Sequence, residues 1–150
     1  MNDKHALGMS VGSTHRDKIA SIPEIARRAE AAKSAGKKVV QAHGVFDLLH
    51  VGHLRHLEAA RRSGSFLVVT LTADRHVNKG PGRPVFTEQL RAEMLAALAF
   101  VDAVAINPEP TAESAIRQIR PDVYVKGGEY ADADQDVTGK ITDERLAVEA

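Results

Sequence analysis

Two histidines, His50 and His53, stand three residues apart in the run Gly44-Val45-Phe46-Asp47-Leu48-Leu49-His50-Val51-Gly52-His53. An apolar pair, Val39 and Val40, leads into this run, and the pattern Leu54, Leu57, Ala60 leads out of it. That order predicts a strand, a glycine-bearing turn and the start of a helix. The first turn of a helix has unpaired N–H groups and a partial positive charge, both of which favour phosphate. Residues three apart share a helix face, so both imidazoles can direct donors at one oxygen. Gly44 and Gly52 allow close approach of backbone and ligand. Imidazole donors suit the stabilisation of charge that builds on phosphorus in a transition state. The reading is therefore a nucleotide site built for phosphoryl chemistry.

Further residues fit the same chemistry. Lys79 and Arg83 lie in Asn78-Lys79-Gly80-Pro81-Gly82-Arg83-Pro84, where two glycines and two prolines exclude helix and central strand. Arg83 can grip phosphate through paired donors, and Lys79 acts as a point charge. No GxxxxGK[ST] run occurs, so this is not a Walker loop. Asp74, after the second expected strand, serves equally well as a turn cap or a ligand-binding group. Lys126, Gly127, Gly128 and Glu129 follow the fourth expected strand, where backbone groups could read a base edge. Asp47 either fixes its loop or touches ligand. His50, His53 and His56 could together hold a metal, but no carboxylate completes the set. The site reading therefore assigns no metal ligand.

The elements that must position these residues follow from periodicity. Residues 1–20 show none and are expected to form a flexible arm. Ser21 and Glu24 have the spacing of a capping box, opening a helix to about Ala35. Strands are expected at 37–42, 66–72, 101–106 and 122–126. The intervening helices are expected at 52–62, 88–99 and 111–119, with a final one beyond Val137. In the third helix Leu90, Met94, Leu95 and Leu98 make an apolar stripe. Alternating strands and helices imply an α/β, doubly wound parallel sheet in three layers. Ligands bind such sheets beyond the carboxyl ends of the strands, where the strand order reverses. Segments 43–53, 74–83 and 126–130 all fall there.

Composition bounds the rest. The 150 residues suffice for one domain with its own core, and apolar residues make up 43%. A formal net charge of zero gives no electrostatic case for nucleic acid or an anionic membrane as a partner. Without cysteine there is no disulfide or thiolate chemistry. No apolar run has the length of a membrane span, and the opening residues lack a signal-peptide core, so a cytoplasmic protein is expected.

The run GVFDLLHVGH resembles the HxGH signature of the cytidylyltransferase-like nucleotidyltransferases. With NKGPGRPVF and VYVKGGEY in the same order, residues 37–130 are most similar to the heptose 1-phosphate adenylyltransferase (ADP-heptose synthase) branch. The resemblance implies a Rossmann-like sheet and a dimer. It implies that a nucleoside triphosphate, CTP or ATP, is joined to a phosphorylated sugar or alcohol with release of pyrophosphate, magnesium arriving with the nucleotide. By position, His50, His53 and Lys79 would act on the reacting phosphates. Gly44, Val45 and Phe46 would bring backbone against the nucleotide, Arg83 would add positive charge, and Gly128 and Glu129 would lie near base and ribose. A phosphate acceptor is already ionised, so positioning and electrostatics suffice without a general base. The resemblance also implies a Ser/Thr-rich segment after the fourth strand, whereas the only Ser or Thr residues in 130–150 are Thr138 and Thr142. Residues 21–150 are accordingly read as a nucleotidyltransferase domain lacking that segment and a last strand. A nucleotide-binding module without turnover is the alternative.

Overall fold

A computed structural model describes residues 14–126. Its centre is a four-stranded, wholly parallel sheet: β1 (Val39–Gly44), β2 (Phe66–Thr72), β3 (Ala103–Asn107) and β4 (Val123–Lys126), in the order β3-β2-β1-β4. β1 and β2 are the central strands, and they are buried almost throughout, as their continuous apolar runs require. Their register sets Val39 beside Phe66 and Gly44 beside Leu71, while His43 pairs with Thr70 on one side and Lys126 on the other.

Helices cover both faces. α2 (Val51–Arg62) and α3 (Glu88–Ala96) lie on one, where Leu57, Ala60, Ala92 and Leu95 pack with Val40, Ala42, Leu67, Val69 and Leu71. α1 (Ile22–Ser34) and α4 (Glu113–Ile119) lie on the other, where Ile25, Ala29, Ala115 and Ile119 pack with Val39, Val68, Ala103 and Ala105. The expected Rossmann-like doubly wound fold is the fold observed. Strand order runs outward from β1 through β2 to β3, then returns to place β4 on the far side of β1. The reversal therefore falls at the carboxyl end of β1, where the histidine run begins. Gly64 lets α2 turn tightly into β2: a Cβ there would meet the carbonyl oxygen of Lys38 at 2.6 Å. No helix among the described residues is long and apolar enough to cross a membrane.

Three expectations need correction. The stretch before Ser21 is not featureless where it is described. Thr14 caps a 3-10 turn (His15–Lys18), and Ile19 bridges to Val104 beside β3. Ser21 does cap α1 through the Glu24 N–H, but the Glu24 carboxylate turns to Arg27 and Arg28, so the reciprocal half of the box is missing. The apolar stripe of α3 is rotated from the expected phase. Leu90 is exposed, and the buried residues are Arg91, Ala92, Leu95 and Ala96. The glycine-acidic segment 127–129, the expected final helix and the 130–150 hydroxyl count lie outside the described residues.

Candidate active site

β1 ends at Gly44, and the chain then turns sharply through Val45 and Phe46. Phe46 has φ 52°, a left-handed conformation that a bulky residue adopts only when its surroundings impose it. Those surroundings are visible: its ring is buried in the α2/α3 core and meets the His53 ring edge-on, with centroids 5.6 Å apart. Gly44 lies under that ring, since a Cβ there would sit 3.1 Å from the Phe46 ring carbons.

α2 then opens with a reciprocal histidine cap. His50 is the N-cap, and its Nδ1 accepts the Gly52 N–H at 3.0 Å. His53 Nδ1 accepts the His50 N–H at 3.2 Å. A neutral imidazole that accepts at Nδ1 carries its proton at Nε2, so both caps select the tautomer with Nε2 as donor. The ring centroids are 4.0 Å apart, with the planes tilted by 35°. This modifies the expectation that the helix N–H groups themselves await phosphate: the Gly52 N–H is already satisfied, and the ring Nε2–H groups are the donors in its stead. Gly52 has a steric reason, because a Cβ there would come within 2.8 Å of His50 Cε1.

A cavity of about 460 Å³ lies over this turn, lined by Phe46, Asp47, Leu48, His50, Gly52, His53, His56, Lys79 and Arg83. Of the expected site residues, the structure thus brings together both histidines, Lys79 and Arg83. It also adds His56, one turn further along α2, whose Nε2 is buried without a hydrogen-bond partner. The metal reading of the three histidines finds no support in the geometry: no group of three or more potential metal ligands occurs among the described residues, and the Nδ1 atoms of His50 and His53 are engaged by backbone.

Asp47 is the buried anchor of the loop that carries Lys79 and Arg83. Its carboxylate accepts the Val85 N–H at 2.8 Å, the Phe86 N–H at 3.0 Å and Arg83 Nη1 at 3.0 Å. Burial by itself would raise its pKa, but the bonds from Phe86, Val85 and Arg83 outweigh that and hold it below the ordinary carboxylate value. Of the two roles open to Asp47, loop fixation is the one its oxygens are engaged in here. Arg83 correspondingly spends one of its guanidinium nitrogens on Asp47.

Asp74 starts a 3-10 turn (Asp74–His76) after β2 and is not in the cavity wall. It accepts from Arg91 Nη2 at 2.7 Å, so its contact is with a helix side chain. Lys126, at the end of β4, lies 5.7 Å from the Tyr124 ring centre and is likewise outside the wall formed by the described residues. Gly127, Gly128 and Glu129 lie outside the described residues. The residue that sequence reasoning missed is Arg91. It is wholly buried on α3 and bonds the carbonyls of Val45 at 2.9 Å, Thr72 at 2.7 Å and Phe86 at 3.0 Å.

A family model described as cytidylyltransferase-like matches residues 42–150, most of the chain. The chain belongs to the cytidylyltransferase-like family. Among curated relatives, the bifunctional protein HldE of Methylobacillus flagellatus is 46% identical over 125 residues, which is 82% of this chain and 25% of that protein. HldE of Streptomyces coelicolor is 51% identical over 105 residues, 69% of this chain and 23% of the relative. The chain thus spans about a quarter of the length of the curated relatives it matches. A solved structure titled lipopolysaccharide core biosynthesis protein, from Thermoplasma volcanium, superposes with a TM-score of 0.61 at 27% identity, covering 75% of this chain and 91% of that one. The family expected from the three motifs is the family found.

Proposed function

We propose that this chain joins a nucleoside triphosphate to a phosphorylated sugar or alcohol. A phosphate oxygen of the acceptor attacks the α-phosphorus in line, a new P–O bond forms, and pyrophosphate departs with the electrons of the broken bond. The observation that carries this reading is the reciprocal cap at His50 and His53, which assigns the ring proton to Nε2 in two residues that line one cavity with Lys79. Donors held in place before the reaction stabilise charge as it builds, without reorganisation at the moment of transfer. Lys79 supplies positive charge to the departing phosphates, and Arg83, braced on Asp47, adds to it. No side chain is required to remove a proton, since the acceptor phosphate is ionised at neutral pH.

Magnesium enters as part of the nucleotide substrate. It would offset the charge of the phosphate groups. The HldE relatives and the neighbour described as a lipopolysaccharide core biosynthesis protein support a sugar phosphate over another phosphorylated alcohol, and a homodimer is the assembly this reading carries from its family.

The test is pyrophosphate release from ATP and from CTP, with magnesium, against a panel of sugar 1-phosphates and alcohol phosphates. Release that depends on one nucleotide and one acceptor class supports the proposal and names both substrates. Saturable nucleotide binding with no release from any pair would replace it with a binding module that does not turn over.

A further inference from the structure

Arg91 is the largest fully buried side chain of the described residues, and it is a cation. A buried charge is expensive, and an apolar residue of similar volume commonly serves a core at least as well. Its hydrogen bonds show what the charge is used for. Nη1 donates to the carbonyls of Val45 and Thr72, Nε donates to the Phe86 carbonyl, and Nη2 donates to Asp74 Oδ1. Val45 precedes the strained Phe46 and the Asp47 anchor. Thr72 is the last residue of β2. Phe86 closes the loop that carries Lys79 and Arg83. The four partners come from the β1 turn, the end of β2 with the turn after it, and the exit of the Lys79 loop, and none belongs to the cavity wall itself.

Two consequences follow from elementary electrostatics. The planar fork fixes the β1 turn, the end of β2 and the exit of the Lys79 loop at set distances from one another. It also satisfies three carbonyl oxygens that face a wholly buried side chain and would be costly to leave unpaired. We infer that Arg91 is the positioning residue of the site: it sets the separation between the His50/His53 donors and the Lys79 loop, and it contacts neither substrate. This inference rests on the nucleotidyltransferase reading above. A misplacement of about 1 Å between reacting groups can cost about a hundredfold in rate, so its effect should fall on turnover.

The experiment compares Arg91→Lys and Arg91→Gln with Arg61→Lys. Arg61 is a control at the opposite end of α2, where it pairs with Asp102 and the Gly64 carbonyl. Each protein is characterised by thermal melting, by kcat and KM in pyrophosphate release, and by hydrogen exchange at the Val85 and Phe86 amides. Lysine keeps the charge but offers a single nitrogen, so it cannot span the three carbonyls. The expected result is a cooperative melt for Arg91→Lys, kcat down by about 10- to 100-fold, KM for the nucleotide within about threefold, and faster exchange at Val85 and Phe86 than in β2. Arg61→Lys should lower the melting temperature without this split. Wild-type kcat and KM in a folded Arg91→Lys protein would overturn the inference. So would losses no greater than the unfolded fraction explains, or failure of both Arg91 variants to fold. If the wild-type chain releases no pyrophosphate from any pair, the enzymatic reading fails by itself. The exchange arm then decides separately: selective loss of protection at Val85 and Phe86 upholds the cross-link, and unchanged protection overturns it.

Discussion

At the scale of single residues, the site is a matter of which nitrogen carries which proton. His50 and His53 each spend Nδ1 on the helix start, and that local bond sets Nε2 as the donor. His50→Ala should therefore have two separable effects. Loss of the cap should cost about 1 kcal/mol, the usual size of a lost N-cap, measurable by urea unfolding. Loss of the donor should reduce turnover by about two to three orders of magnitude, as removal of one oxyanion donor does elsewhere. Gly52→Ala should reproduce the second effect with both histidines still present, because the added methyl would displace the His50 ring. Nitrogen NMR of the imidazoles checks this: Nε2-protonated histidines are expected in the wild-type chain, with the His50 signal altered in Gly52→Ala.

At the scale of elements, the Asp47 anchor gives a pH dependence with a definite sign. Its pKa in the folded chain lies below the ordinary aspartate value of 3.8. A depressed pKa contributes stability that is fully present above the unfolded-state value and is lost as pH falls through the folded one. As pH falls through 3.8 and below it, the loop should therefore loosen progressively. Asp47→Asn should flatten that part of the stability profile, measured by unfolding at a series of pH values. Gly64→Ala is the matching test of the α2–β2 turn. The new Cβ would press on a backbone carbonyl that cannot move aside, so a loss of about 1–3 kcal/mol is expected in denaturant titration.

These elements were legible in the sequence to different degrees. β2 is a run of seven residues buried on both faces, and FLVVTLT can be little else. α3 shows the limit. Its pattern offers Leu90 and Leu95 as equally good apolar positions, yet Leu90 faces out and Arg91 faces in. Hydrophobic periodicity assigns any arginine to the surface, so a guanidinium buried to gather carbonyls is invisible to it. Asp47 was ambiguous for a related reason: its partners, Val85 and Phe86, are backbone amides 38 and 39 residues away, and no side-chain pattern announces them. The histidine pair was readable as a candidate because its spacing is local, but the use of Nδ1 for capping needed the helix start itself.

At the scale of the whole molecule, the strand order β3-β2-β1-β4 puts the reversal at the carboxyl end of β1, and the cavity lies there. The β1 turn and the exit of the Lys79 loop are held from the core side, by Phe46 through packing, by Asp47 through the loop amides and by Arg91 through carbonyls. A site built in this way should bind nucleotide without large rearrangement. Bound nucleotide at a hundred times its Kd should then stabilise the fold by about 2.7 kcal/mol, read as an upward shift in melting temperature. The measurement that bears most directly on the central claim is single-turnover transfer by His53→Ala, with nucleotide affinity determined in parallel by calorimetry. If the imidazole acts on charge that develops at phosphorus, affinity should stay within a few-fold and the transfer rate should fall at least a hundredfold. Weakened affinity with an unchanged rate for the bound nucleotide would contradict that account and leave His53 as a ground-state binding group alone.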